Sequence, residues 1–312
     1  MFKHLLVPLD GSSLAEAVLP AVRYLAQTLP ARVTLLHVME QSPPEEVHGE
    51  PHITEPEEAE HYLAGVAASF PPEVTLDYHV HRDPERDVGQ ALVAHAAELA
   101  VDLVIMCVHG RGAVRTMLFG AIAQQVIALG DTPVLLVNPG TAKHPPPFAC
   151  RRLIVPLDGD VEHEQGLAVA IGLAQTCDAE LHLLMVVPTV NTLASERLAT
   201  ARLLPAAAAA LLDLSEQDAA DYLQHHVEHL AGQVATVSAL VRRGDPATVI
   251  VRFARQAQAD LIVLGTHGKS HLDAFWSGST TPKVSARTRL PLLLVPVRDR
   301  SPARLASPPA SQ

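Results

Sequence analysis

The chain has 312 residues, 48% of them hydrophobic and only 4% aromatic, and its formal net charge is −11 with histidine neutral. That is about two domains' worth of chain, and either half is long enough to bury its own core. The acidic balance argues against general nucleic-acid binding, which needs clustered lysine and arginine to neutralise phosphates. No apolar run reaches the ~18 residues of a membrane span, and Pro8 and Asp10 interrupt the first apolar stretch too soon for a signal peptide. Cys107, Cys150 and Cys177 lack metal-type spacing and read as buried or incidental thiols of a reduced, cytoplasmic protein. The 17 histidines are scattered. His225, His226 and His229 share one predicted helix without a cysteine or HExxH pattern, so they read as solvated, and no metal ligand is assigned.

In chain order, the first half predicts a strand at 3–8, a helix at 13–29 and a strand at 32–38. Residues 40–57, rich in Pro, Glu and His, read as a solvated loop. A helix at 56–69, a strand at 74–81, a helix at 86–100 and a strand at 102–107 follow, then a helix at 115–129 and a strand at 133–137. The second half repeats this order, with a longer, mostly helical excursion broken near Pro205 and a last strand at 291–297. The strands are short apolar runs without alternation, as expected where helices cover both faces. Strands separated by helices predict an α/β fold with a doubly wound, open parallel sheet. Sites in such sheets lie at the carboxyl ends of strands, where strand order reverses.

The chain is written twice. HLLVPLDGS at 4–12 recurs as RLIVPLDGD at 152–160, and DLVIMCVHGRG at 102–112 recurs as DLIVLGTHGKS at 260–270. DTPVLLVNP at 131–139 answers RLPLLLVPV at 289–297, and RDP at 82–84 is matched to GDP at 244–246. The domains are therefore drawn at 1–140 and 151–298, with a linker at 141–150 and a disordered tail at 299–312.

The motif that carries chemistry is Gly265-x2-Gly268-x9-Gly278-Ser279, followed by Thr280. Gly268-Lys269-Ser270 resembles the end of a Walker A loop, but Val263 stands where that motif requires its first glycine. Glycines allow positive φ and let backbone N–H groups approach an anion. Gly278, Ser279 and Thr280 are placed to open the next helix, whose free N–H groups and hydroxyls suit phosphate. A loop and a capped helix without any ligand are equally compatible with this spacing. Ser12 and Asp160 read as caps, and Asp158 is either a turn residue or a ligand.

In the first half, Cys107 replaces Gly265, Ala121 replaces Ser279, and Arg82 replaces the glycine before Asp-Pro. Losing the hydroxyl removes a hydrogen bond to charge of roughly 1.5–3 kcal/mol, or about one to two decades of affinity. A cysteine where positive φ is wanted costs about 1–2 kcal/mol more. The first half therefore reads as a structural partner with a degenerate loop.

The strand ending Val-Pro-Leu-Asp, the Gly-Asp-Pro, the GxxGx9GS loop and the closing PLLLVPV strand together resemble the universal stress protein family, across 1–138 and again across 151–297. The resemblance implies two Rossmann-like, adenine nucleotide alpha hydrolase-like domains, paired as a pseudo-dimer through the last strand of each. It also implies an ATP site in the second half. Asp158 would lie by the adenosine and the backbone near Val186 or Val187 by the adenine. Gly265, Gly268, Gly278, Ser279 and Thr280 would lie by the phosphates and ribose, with His267 fixing the loop backbone. Any accompanying Mg²⁺ would be held mostly by phosphates and water. No carboxylate dyad, nucleophile–base pair or metal cluster stands at a fixed spacing, so the expectation is binding and regulation through an unidentified protein partner. The alternatives are a slow ATPase or phosphoryl-transfer enzyme, with His267 or Asp158 positioning water, and a nucleotide-free scaffold.

Overall fold

The structure, a computed structural model, describes residues 1–108, 120–139, 147–192, 201, 203–267 and 280–297, with the backbone alone of residues 162 and 267. The first half runs through β1 (His4–Pro8), α1 (Leu19–Thr28), β2 (Arg32–Glu40), the short strands β3 (Glu46–Val47) and β4 (Glu50–Pro51), and α2 (Pro56–Ala68). It continues with β5 (Leu76–Glu85), α3 (Val88–Glu98), β6 (Leu103–Cys107), α4 (Ala121–Leu129) and β7 (Val134–Val137). The second half comprises β8 (Arg152–Leu157), α5 (Gln165–Cys177), β9 (Glu180–Val187), α6 (Pro205–Leu230) and β10 (Thr236–Arg243). α7 (Pro246–Gln256), β11 (Leu261–His267), α8 (Thr280–Ser285) and β12 (Leu292–Val297) complete it.

The long strands form one ten-stranded sheet in the order β10-β9-β8-β11-β12-β7-β6-β1-β2-β5. Pairing is parallel within each half, and only β12 and β7 meet antiparallel, with Leu292 opposite Leu136, Leu293 opposite Leu135 and Leu294 opposite Val134. Each half is thus an open, doubly wound parallel sheet, joined through its last strand as the resemblance implies. The junction side chains alternate between faces. Leu135 and Leu293 enter one apolar layer, and Leu136, Leu292 and Leu294 enter the other. Both layers run from one half into the other, so the join is built like core rather than like a linker contact.

Helix starts follow local chemistry. Asp87 accepts from Gln90 N at the start of α3, and Asp245 accepts from Thr248 N at the start of α7. This corrects one alignment: Asp245-Pro246 corresponds to Asp87-Val88, whereas Arg82-Asp83-Pro84 lies inside β5. Arg82 pairs there with Glu57 and Glu60 of α2, and Arg86 is the residue standing opposite Gly244. Pro205 opens α6 at its first position, where its missing N–H costs nothing. The 40–57 segment is not simply a solvated loop, because it carries the β3–β4 hairpin and buries His52 and Ile53. Most of the linker, residues 115–119 of the predicted helix, and the tail lie outside the described residues. No helix among the described residues is long and apolar enough to cross a membrane.

Leu135 and Leu293 are each 1% exposed at the junction. Leu135→Ala and Leu293→Ala are each expected to destabilise the protein by about 2–5 kcal/mol in urea unfolding. Because the two face each other, the double variant is expected to depart from the sum by at least ~0.5 kcal/mol. Strict additivity would mean that the two side chains are not packed together.

Candidate functional site

In the second half the strand order reverses between β8 and β11. A cleft of about 290 Å³ opens there, at the carboxyl ends of β8, β9 and β11. Its described walls include Asp158, His163, Val186, Gly265, Thr266 and Thr280. Asp158 follows β8 in a tight turn whose Gly159 has φ +85°, a conformation suited to glycine. Its Oδ1 accepts from Asp160 N at 3.1 Å, and its Oδ2 lies 2.6 Å from His163 Nδ1. Asp158 is thus a turn residue that also presents a carboxylate, 58% exposed, at the cleft mouth. His163 is the functional candidate that sequence reading missed. Its signal is the spacing five residues beyond an aspartate, which the turn after β8 folds back on itself.

Gly265 is needed for a different reason than expected. It lies in β11, opposite Val295 of β12, and not in a loop of positive φ. A Cβ there would come 2.8 Å from the His163 carbonyl oxygen. Close approach of backbone to backbone therefore excludes a side chain, and the positive-φ penalty assigned to Cys107 falls away, since Cys107 is likewise a strand residue. Val186, rather than Val187, lines the cleft. Val187 is buried, and its carbonyl accepts from Gly244 N at 3.0 Å. The backbone of His267 pairs with Val297. Thr280 and Thr281 open α8 against the cleft, Thr281 being buried. Gly268, Gly278 and Ser279 lie outside the described residues.

Histidine 226 corrects the reading of the α6 histidines as solvated. Its side chain is 15% exposed, with Nε2 3.3 Å from Glu164 Oε1. Tyr222 donates to that same oxygen at 2.8 Å, and burial, reinforced by Glu164, raises its phenol well above the ordinary range. α6 is thereby tied to the segment that carries His163.

The first half fills its own version of this cleft, leaving only about 60 Å³. Cys107 stands where Gly265 does, and burial first, then the Asp10 charge, pushes its thiol up to about 12. It is a neutral packing group. Asp10 is occupied by Ser12, whose N and Oγ donate to Oδ1 at 2.9 and 2.7 Å. Ser12 Oγ in turn accepts from Ala15 N at the start of the short helical turn that precedes α1. The β3–β4 hairpin closes the mouth from outside. Glu50 accepts from Ser13 N and Oγ at 2.7 and 2.6 Å, His48 Nε2 lies 3.7 Å from Asp10 Oδ2, and Ile53 packs directly on Gly11. His37 is buried with Nδ1 on the Leu9 carbonyl at 2.8 Å. Met185 holds the corresponding place in β9, as the paired registers of β1–β2 and β8–β9 show.

The comparisons with known proteins agree with this architecture. The model of the universal stress protein family matches residues 1–138 and again 149–296, so the chain belongs to that family in tandem form. It is 33% identical over 145 residues to a universal stress protein of Thermus aquaticus, covering 44% of this chain and all of that one. A universal stress protein E homolog of Haemophilus influenzae is 25% identical over 239 residues, covering 71% of this chain and 70% of that one. Among solved structures, a universal stress protein from Archaeoglobus fulgidus superposes with a TM-score of 0.68 at 17% identity, covering 95% of this chain and 97% of that one. That last likeness speaks to the fold alone.

Burial first, and then the His52 charge, holds the His37 ring below the ordinary imidazole value, outweighing the Leu9 carbonyl. The unfolded chain therefore takes up a proton that the native state refuses. The contribution of His37 is fully present above the unfolded pKa near 6.5 and is lost as pH falls toward the lower native value. His37→Met, which installs the residue of the second half, is expected to flatten the fall in Tm as pH drops below about 6.5. An unchanged slope would show that His37 does not carry it.

Proposed function

We propose that this protein binds an adenine nucleotide, ATP, in the cleft of its second half and acts as a nucleotide-dependent regulatory module in the stress response. The observation that carries the reading is the cleft of about 290 Å³ bounded by Asp158, Gly265 and Thr280. GxxGx9GS spans the chain between two of those walls, with Gly268, Gly278 and Ser279 at its remaining positions. In this reading Asp158, held by His163, faces the ribose. The adenine lies against Val186, beside the Val187 backbone. The glycines of the motif bring backbone N–H groups and the Ser279 and Thr280 hydroxyls to the phosphates. Mg²⁺, if it accompanies the nucleotide, is held mostly by phosphate oxygens and water.

The first half is the structural partner in this reading, because its cleft is occupied by its own side chains. The proposed setting is the cytoplasm, where Cys107, Cys150 and Cys177 stay thiols. The chemistry proposed is binding and not turnover. Electrostatic positioning of a transferred phosphoryl group calls for more than the single lysine, Lys269, that the motif carries.

Denaturing the purified protein and identifying the released small molecules by chromatography tests the assignment. An adenine nucleotide is expected from the parent protein and none from a Gly278/Ser279 double variant. Gly265→Cys, which copies the first half, is expected to weaken ATP binding by calorimetry at least about tenfold, equivalent to ~1.4 kcal/mol. Undiminished binding in Gly265→Cys would place the nucleotide elsewhere.

A further inference from the structure

Three histidines far from the cleft converge on the outer edge of the first half. His79 and His81 project from one face of β5, the last strand of the sheet, two residues apart as the strand pleat requires. His95 comes from α3, which packs on that same face. One ring nitrogen from each of the three lies within 4.8 Å of the others. His95 Nε2 and His81 Nδ1 are 3.0 Å apart, and the His79 ring centroid is 5.3 Å from that of His95. A tetrahedral zinc site with bonds of about 2.0–2.1 Å spaces its nitrogens at about 3.3 Å, so small side-chain rotations bring the three into register.

The outward-facing nitrogens meet carboxylates. His95 Nδ1 is 3.4 Å from Glu98 Oε2, and His81 Nε2 is 3.3 Å from Glu85 Oε1. The second approach is too skewed for a hydrogen bond, which leaves His81 Nε2 buried without a hydrogen-bond partner. The inner His81–His95 hydrogen bond uses one ring's proton, so with both rings neutral one outer nitrogen is left as a lone pair facing its carboxylate. With the His81 proton on Nε2, toward Glu85, its Nδ1 accepts from His95 Nε2, and the His95 Nδ1 lone pair then faces Glu98. With the proton on Nδ1, a buried lone pair faces the Glu85 carboxylate. A cation between the inner nitrogens lets both rings carry their protons on the outer nitrogens, beside Glu85 and Glu98, and these carboxylates then take the orienting part usual behind metal-bound histidines.

The duplication supplies an internal control. The β9–β10 and β2–β5 registers, with the matched caps of α3 and α7, place Leu240, Arg242 and Phe253 where the first half has His79, His81 and His95. Leu240 and Phe253 pack there against the apolar layer. The fold therefore does not need histidine at these positions.

The geometry points to a binding site for a divalent cation of the zinc class, formed by His79, His81 and His95 and oriented by Glu85 and Glu98, with remaining coordination open to water. Imidazole donors in this number suit Zn²⁺ and its neighbours over Mg²⁺ or Ca²⁺.

The test is titration of the metal-stripped full-length protein with Co²⁺, read by visible absorption, and with Zn²⁺ against a chromogenic chelator. One saturable equivalent per chain is expected. His95→Phe and His79→Leu, which install the residues of the second half, are expected to remove it. Glu98→Gln, at an exposed position, is expected to weaken it by roughly 10–100-fold without disturbing the fold. His225→Ala/His229→Ala, which removes two exposed histidines of α6, is expected to leave it unchanged. No saturable equivalent in the parent protein, retention in folded His95→Phe, unaltered affinity in Glu98→Gln, or loss in the α6 variant would each overturn the assignment.

Discussion

The structure depends on one antiparallel contact. β7 and β12 are the last strands of two parallel half-sheets, and each would otherwise be an unpaired edge of apolar residues exposed to other chains. Pairing them with Leu135 opposite Leu293 turns two edges into the middle of one ten-stranded sheet. It also merges the apolar layers on both faces. Because the halves meet antiparallel, the carboxyl ends of their strands point in opposite directions. The two clefts therefore cannot merge into one, and each half has been free to diverge at its own end.

That divergence is visible position by position. Gly265 leaves room for the His163 backbone, while Cys107 puts a buried thiol at the corresponding point. The Asp158 carboxylate is held by a histidine at a cleft mouth, while that of Asp10 is taken up by Ser12 under the β3–β4 hairpin. At the sheet's outer edge the contrast reverses. The first half carries three histidines where the second half carries Leu240, Arg242 and Phe253. The shared framework tolerates both sets because strand pairing and the two apolar layers, rather than cleft or edge residues, hold it together.

Most of the framework was legible in the sequence because continuous apolar runs and helix-forming stretches report burial directly. The strands at 3–8, 102–107 and 133–137 fall within a residue of those observed. What was not legible depended on contacts between distant residues. Asp83-Pro84 looks like Asp245-Pro246 in letters, but helix capping by Asp87 shows where the correspondence lies. The reason for Gly265 is a backbone on the neighbouring turn, and nothing in the glycine itself announces it. Ile53 and His52 sit in a segment polar enough to read as solvated, yet both are buried, Ile53 packed on Gly11 and His52 beside Glu40. His79 and His81 share a strand face by their two-residue spacing, but a strand end and a helix separate them from His95, so no spacing rule connects all three. At the cleft, Asp158 and Gly265 stand where sequence reading expected a site, and Gly268, Gly278 and Ser279 are beyond the described residues.

The central claim is that one chain carries one working nucleotide cleft and one filled copy of it. The most direct measurement is equilibrium dialysis of the full-length protein against increasing ATP with Mg²⁺, taken to saturation. The account predicts a plateau at one nucleotide per chain. A plateau at two equivalent sites, or no saturable binding, would contradict it.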